Sequence, residues 1–253
     1  MLRKNKIYNG DCLELMQQLD DHSIDMILCD LPYGTTRAKW DSIIPFDKLW
    51  EQYNRIIKEN GAIVLTGTEP FSSFLRCSNL KMYKYDWVWD KIAPTGFFNA
   101  KKQPLRVTEN ISVFYNKQPT YNPQITHNHK RKTAKRRKAF HCELYNPSTE
   151  VTEYDSTDRY PINLQAISSD KQKSHLHPTQ KPVELFKYLI RTYTNEGDLV
   201  LDNCIGSGTT AIACLEENRN YIGMEKEKKY YDIALARIEK WKDNPKENKL
   251  FGG

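Results

Sequence analysis

No two cysteines in this 253-residue chain are spaced C-x-x-C, and the six present, Cys12, Cys29, Cys77, Cys142, Cys204 and Cys214, are too scattered for a short disulfide framework. They read as reduced packing residues. No apolar run is long enough to span a bilayer. The basic N-terminus, Met1 to Lys6, is not followed by the apolar stretch a secretory signal needs. A soluble protein kept in the cytoplasm, with no membrane partner, is therefore expected. Internal repeats are lacking too. His127-Asn128-His129 and the nearby His141-Cys142 do not complete a zinc-ligand spacing, so no metal is expected.

What is present is the balance of a globular domain, 39% apolar and 28% charged residues, in a length that suits one large α/β domain carrying an insertion. Short β-branched or aliphatic runs recur at Ile24–Cys29, Ala62–Leu65, Trp87–Trp89, Ile111–Tyr115, Leu199–Leu201 and Tyr221–Met224. They predict buried parallel strands. Amphipathic helices fall between several of them. The clearest puts Phe46, Leu49, Trp50, Tyr53, Ile56 and Ile57 on one stripe and stops before Asn60-Gly61. Others begin at Pro70 and Pro182, and a last one presents Tyr230, Ile233, Ala234, Ile238 and Trp241. This alternation predicts a doubly wound sheet in a single domain over residues 1–253.

Residues 116–174 break the rhythm, being rich in Asn, Pro, Thr, His and Lys/Arg, and read as an insertion. Within it, Lys130, Arg131, Lys132, Lys135, Arg136, Arg137 and Lys138 place seven basic residues in nine positions. Such a run either neutralises phosphates or is simply a solvated charge run. Trp87, Trp89, Phe97 and Phe98 could line a ligand pocket, although aromatic residues at strand ends more often pack the core. Lys101, Lys102 and Arg106 could touch a phosphate backbone, with solvated charges as the default.

The segment Leu199 to Thr210 is a strand, a glycine-containing turn (Gly206-Ser207-Gly208) and a helix start. Gly206 and Gly208 would let backbone approach a ligand, and the helix start offers unpaired N–H groups. No Lys follows the second glycine, so a phosphate-gripping P-loop is not matched, and neither is the full dinucleotide pattern G-x-G-x-x-G. The next strand ends on Glu225, where a carboxylate can accept bonds from both ribose hydroxyls. A nucleoside ligand is implied.

Near the N-terminus, strand Ile24–Cys29 runs into Asp30-Leu31-Pro32-Tyr33. This resembles the D-P-P-Y signature of DNA amino-methyltransferases, departing at Leu31. Asp202 to Thr210 is similar to that family's D-P-F-x-G-S-G-T-T cofactor motif, with Asn203 and Cys204 where Pro and Phe are usual. His177 to Pro182 resembles H-P-T-x-K-P, and Asn9-Gly10-Asp11 resembles N-G-D. Their order, catalytic motif, insertion, H-P-T-x-K-P, then cofactor motif, is that of the beta group, a circular permutation.

The resemblance implies a Rossmann-like, circularly permuted S-adenosylmethionine methyltransferase sheet whose insertion at 116–174 recognises the DNA target. S-adenosyl-L-methionine would be held by Asp11, Thr179, Lys181, Asp202, Gly206, Ser207, Gly208, Thr209 and Glu225. Asp30 and the Leu31 carbonyl would accept bonds from the target amino group, while Pro32 stiffens the turn and Tyr33 stacks on the extruded base. No covalent intermediate is required. The expected activity is site-specific methylation of adenine N6 in double-stranded DNA. The alternatives are cytosine-N4 methylation, for which the family usually has Ser in place of Asp30, and a catalytically idle DNA-binding module. A homodimer is the assembly such relatives suggest, and any partner restriction nuclease is left open.

Overall fold

The structure is a computed structural model that describes residues 2–35, 41–136, 140–142, 145–148, 152–169 and 180–243. It divides into two compact units, Met1–Asn122 with Asn163–Gly253, and Pro123–Ile162. The smaller unit is thus shorter at both ends than the 116–174 stretch.

The larger unit contributes strands β1 (Lys6–Asn9), β2 (Ile24–Cys29), β3 (Ile57–Gly67), β4 (Tyr83–Thr95) and β5 (Arg106–Phe114). The smaller one holds β6 (Lys132–Arg136), β7 (Phe140–Cys142), β8 (Tyr145–Ser148) and β9 (Thr152–Ser156). Then β10 (Leu164–Ala166), β11 (Leu199–Asp202) and β12 (Asn220–Glu225) return to the larger unit. Its helices are α1 (Cys12–Met16), α2 (Phe46–Ile56), α3 (Phe71–Ser78), α4 (Val183–Tyr193), α5 (Thr209–Glu216) and α6 (Lys228–Asp243).

Eight strands form one sheet in the order β1-β12-β11-β2-β3-β5-β4-β10. The alternation of β2 and β3 explains the layers on either side. Met26, Leu28, Ala62 and Val64 face one apolar cluster with Leu185, Leu189, Ala211 and Ile238 of α4, α5 and α6. Ile27, Cys29, Ile63 and Leu65 face the other, with Leu49, Tyr53, Ile56 and Leu75 of α2 and α3. Strands that bury both faces must be apolar throughout, which is why they read as continuous aliphatic runs. The apolar stripe of α2 buries Leu49, Trp50, Tyr53 and Ile56 as its spacing predicts.

One expected feature is different. β5 does not run parallel: it pairs antiparallel with both β3 and β4. The reason is the connection. β4 and β5 are longer than their aliphatic cores and leave only the segment 96–105 between them, too short for the helical crossover a parallel pair needs. The aromatics divide as well. Trp87 and Trp89 are buried, with indole N–H groups donating to Tyr193 Oη (2.6 Å) and the Ile167 carbonyl (2.8 Å). Phe97 and Phe98, expected in the core, stand exposed on a 3-10 turn at Phe97–Asn99, because this turn lies beyond the last sheet pairing, Thr95 with Arg106.

In the smaller unit β6 pairs antiparallel with β9, and β7 with β8. The basic run is therefore partly strand. Arg131 pairs with Asp155, and Lys135 Nζ lies 3.1 Å from a Glu153 oxygen directly across the ladder.

Candidate active site

The strand order reverses between β11 and β2: the chain leaves β11 toward β12 on one side and β2 toward β3 on the other. In a doubly wound sheet this switch point opens a crevice at the carboxyl ends of the two strands. Asp30 follows β2 and the Gly206–Gly208 turn follows β11, so the two chemically distinctive segments flank that crevice. A cavity of about 370 Å³ lies there. Asp30, Leu31, Pro32 and Tyr33 line it on one side; Asp202, Gly206, Ser207, Thr209 and Glu225 line it on the other. Asp11 and Lys181 complete the wall.

Neighbouring strand register brings in the rest. β2 and β3 pair with Cys29 opposite Leu65, which sets Thr66 beside Asp30. The Asp30 carboxylate accepts from the Tyr33 hydroxyl (2.5 Å) and from the Thr66 hydroxyl on Oδ1, and from the Lys181 ammonium on Oδ2 (2.7 Å). Tyr33 stays a neutral donor, since burial and the adjacent Asp30 charge hold its hydroxyl well above the usual tyrosine range. Its ring packs on Phe71 with centroids 4.9 Å apart, which fixes its plane. Burial alone would push the Lys181 ammonium down, but Asp30, Tyr33 and Glu109 outweigh it and hold the group well above the usual lysine range. Beyond Tyr33, the amides of Gly34 and Thr35 donate to the two oxygens of buried Asp41 at 2.8 and 2.9 Å, which pins the loop.

On the other wall, the Glu225 carboxylate accepts from the Gly206 amide (2.9 Å) and the Glu227 amide (2.8 Å). Each oxygen is oriented yet keeps acceptor capacity toward the cavity. Burial raises its pKa against those amides. Asp202 is buried behind the turn, accepting from the Cys204 amide (3.0 Å) and the Thr210 hydroxyl. Burial pushes its carboxyl up to about 7. Asp11 caps α1, accepting from Leu13 N at 3.0 Å, and reaches the site because β1 pairs with β12, Asn9 beside Glu225. Ser207 and Thr209 meet Gln180 and the Lys181 carbonyl, linking the turn to the segment before α4.

One residue does something other than expected. Gly208 does not line the cavity. It is the N-cap of α5 at φ 86°, and a Cβ there would sit 3.2 Å from Ala234 Cβ, so its smallness serves helix packing rather than ligand approach. Lys181 lines the cavity and donates its ammonium to Asp30 Oδ2. Thr179, Arg137 and Lys138 lie outside the described residues. Lys130, Arg131, Lys132, Lys135 and Arg136 belong to the smaller unit.

Sequence reasoning missed Thr66, Glu109 and Asp41. Glu109 lies on β5, lines the cavity and forms ion pairs with Lys91 (3.2 Å) and Lys181 (3.4 Å). Its signal was a charged residue just before the apolar run of a buried strand. Cys12 and Cys204 also line the cavity, with Cys29 behind them. Burial pushes the Cys29 thiol up to about 12, so this cluster packs as neutral thiols rather than acting as nucleophiles.

The chain is 28% identical over 257 residues to the Type II methyltransferase M2.MboI of Moraxella bovis, covering 91% of this chain and 86% of the relative. It is 26% identical to M.HinfI of Haemophilus influenzae, covering 98% and 72% of the two. Among solved structures it superposes on the M1.HpyAVI–SAM complex with a TM-score of 0.64 at 25% identity, covering 92% of this chain and 98% of that one. The PvuII DNA methyltransferase, which is cytosine-N4-specific, shares the fold with a TM-score of 0.65 at 18% identity, covering 96% and 92%. Residues 24–236 match the DNA methylase family, spanning both walls of the cavity, and the chain belongs to that family.

Proposed function

We propose that this protein methylates adenine N6 in DNA at a specific sequence, with S-adenosyl-L-methionine as methyl donor. The observation that carries the reading is the Asp30 carboxylate at the end of β2, held by Tyr33, Thr66 and Lys181 and facing one cavity with the oriented Glu225.

The cavity residues fit that cofactor. Glu225 has acceptor capacity for ribose hydroxyls, Gly206 and Ser207 bring backbone to the wall, and Asp11, Asp30 and Glu225 give the lining the negative character a sulfonium needs. When bound, the cofactor supplies an electrophilic methyl group. The chain's own residues do the rest. Adenine N6 is a weak nucleophile because its lone pair is delocalised into the ring. The Asp30 carboxylate and the Leu31 carbonyl accept its N–H bonds, which favours a localised lone pair and meets the positive charge that develops on nitrogen. Tyr33 offers a ring already fixed against Phe71 for stacking on an extruded base. The product nitrogen is acidic, so its proton can pass to Asp30 or water.

Cytosine-N4 methylation is the second reading, favoured by the shared fold of the PvuII enzyme. Asp30 favours adenine, because the resemblance associates Ser with the cytosine class. The order of catalytic strand β2 before cofactor strand β11 supports a beta-group arrangement. The smaller unit would then be the target-recognition element, and the cytoplasm, where DNA is met, the site of action. Incubation with labelled cofactor and DNA of varied sequence, followed by digestion to nucleosides, tests the reading. Label in N6-methyldeoxyadenosine is expected; label in N4-methyldeoxycytidine would transfer the assignment to the second class.

A further inference from the structure

Lys181 occupies an acceptor position on Asp30 that the target amino group would need. Its ammonium donates to Asp30 Oδ2 at 2.7 Å. Asp30 Oδ1 is already taken twice, by Tyr33 and Thr66. A carboxylate oxygen has two lone pairs, so the bound ammonium both fills one of the remaining sites and withdraws charge from the acceptor. With Lys181 in place, Asp30 is a poor partner for an incoming amine.

Glu109 stands at the other side of the same ammonium. Its side chain is 10% exposed, and its Oε2 lies 3.4 Å from Lys181 Nζ, within ion-pair range but without a hydrogen bond to any group among the described residues. Its Oε1 is held by Lys91, 3.2 Å away, whose ammonium also approaches Thr95 Oγ1 at 3.5 Å. The four side chains form a chain of contacts that alternates in charge: Lys91, Glu109, Lys181, Asp30. A buried carboxylate oxygen left without a donor is costly unless a donor reaches it in another state of the enzyme. That donor is 3.4 Å away and bonded to the catalytic acid.

We propose that Glu109 is a positioning residue that receives the Lys181 ammonium when the target base enters. In the base-free enzyme Lys181 sits on Asp30 and orients the carboxylate. The target amino group then takes over Asp30 Oδ2, and the ammonium moves the short distance to Glu109 Oε2, so it keeps a carboxylate partner while Asp30 turns to the amine. This rests on the amino-methyltransferase reading above.

The experiment is a double-mutant comparison of Glu109→Gln, Lys181→Met and both together, with cofactor affinity and melting temperature measured for each. Glu109→Gln keeps a carbonyl for Lys91 but loses the charge that draws Lys181 away. Its kcat is expected to fall about 100-fold, the size of one lost electrostatic contact. KM for DNA and cofactor affinity should stay within about twofold. Adding Lys181→Met to Glu109→Gln should recover about tenfold in kcat, because Asp30 is no longer blocked. A merely structural Glu109 would make the double variant at least as poor as the single. Wild-type kcat in Glu109→Gln, or no recovery in the double, overturns the proposal. Should Glu109→Gln not fold, the unmodified enzyme crystallised with target duplex and a methyl-free cofactor analogue decides it. Lys181 Nζ is then expected at about 2.8 Å from Glu109 Oε2, a charge-assisted bond length; an ammonium still on Asp30 overturns it. If wild-type protein methylates no DNA at all, the underlying reading fails instead, and the two failures are distinct.

Discussion

At the scale of single residues, the site depends on how many donors one carboxylate can hold. Removing Asp30 altogether, as Asp30→Ala, should abolish methyl transfer while cofactor affinity stays close to wild type, because Glu225 and the glycine turn lie on the opposite wall. Thr66→Val is a finer test. It deletes one buried donor to a charged acceptor, an interaction of about 1.5–3 kcal/mol, so kcat should drop roughly 10- to 100-fold with unchanged cofactor binding. Steady-state kinetics with equilibrium cofactor titration checks both; wild-type kcat in Thr66→Val would mean that Tyr33 and Lys181 suffice to hold Asp30. Asp202 makes a prediction about pH. Its carboxyl sits near 7 when folded against 3.8 ordinarily, a raised acid. The folded state therefore binds the proton more tightly, and the stability this gives is complete below about pH 4 and is lost as pH rises through 7. Asp202→Asn cannot titrate. Its unfolding free energy relative to wild type should shift in its favour by up to about 1.4 kcal/mol per pH unit across that window, measured by urea titration at several pH values. A pH-independent difference would show that Asp202 is ionised throughout. Which of these residues could be read in advance follows from distance along the chain. Asp30 and Tyr33 are three apart and form a recognisable motif, whereas Thr66 and Glu109 join them only through strand register, Cys29 beside Leu65 and Thr66 beside Ile111.

Among elements, those with strong local signals were legible and those defined by distant pairing were not. Helices α2, α3 and α4 announce themselves by apolar stripes and by Pro at the entry, and β2 matches its aliphatic run end to end. β1 has only four residues, and its partner β12 is more than 200 positions away, so no local pattern marks it as part of the sheet. The direction of β5 was equally hidden, since a run of apolar residues carries no sign of direction. The turn into α5 shows the same division: the glycines were visible, but only the packing separates their roles. Gly208 is in the left-handed region at φ 86° and also presses on Ala234, whereas Gly197, at φ 83°, has open space around it. Gly197→Ala should cost only the conformational strain, about 1 kcal/mol. Gly208→Ala adds a Cβ at 3.2 and 3.3 Å from Ala234 Cβ and Cα, and should cost about 2–3 kcal/mol as α6 is pushed from α5. Urea denaturation of the two variants separates strain from crowding; equal losses would mean that α6 yields without penalty.

For the whole molecule, the question is how a net charge of +6 is distributed. The unit Pro123–Ile162 holds eight Lys/Arg against five Asp/Glu, a net +3, so half of the excess sits in a small fraction of the chain. The sequence revealed that concentration but not its neutralisation, because the acids that answer it come from β9, some twenty residues later. Asp155 and Glu153 pair with Arg131 and Lys135, while among the described residues no carboxylate pairs with Lys130 or Lys132. Across the ladder Lys132 faces Ser156 rather than an acid. A cation already paired must give up its carboxylate to reach a phosphate, so the two sets should contribute unequally to DNA binding. Replacing Lys130 and Lys132 together by Gln should lower the salt dependence of binding by nearly two units of slope, at about 0.9 per phosphate contact. Replacing Arg131 and Lys135 by Gln removes the same total charge, so effects of net charge alone cancel between the variants, yet its slope should change by less than about one unit. Both variants should methylate the same sequence as wild type, since phosphates carry no base information. Binding isotherms across a salt series give the slopes. Equal slopes for the two variants would mean that this strand acts as a diffuse positive field and makes no discrete phosphate contacts.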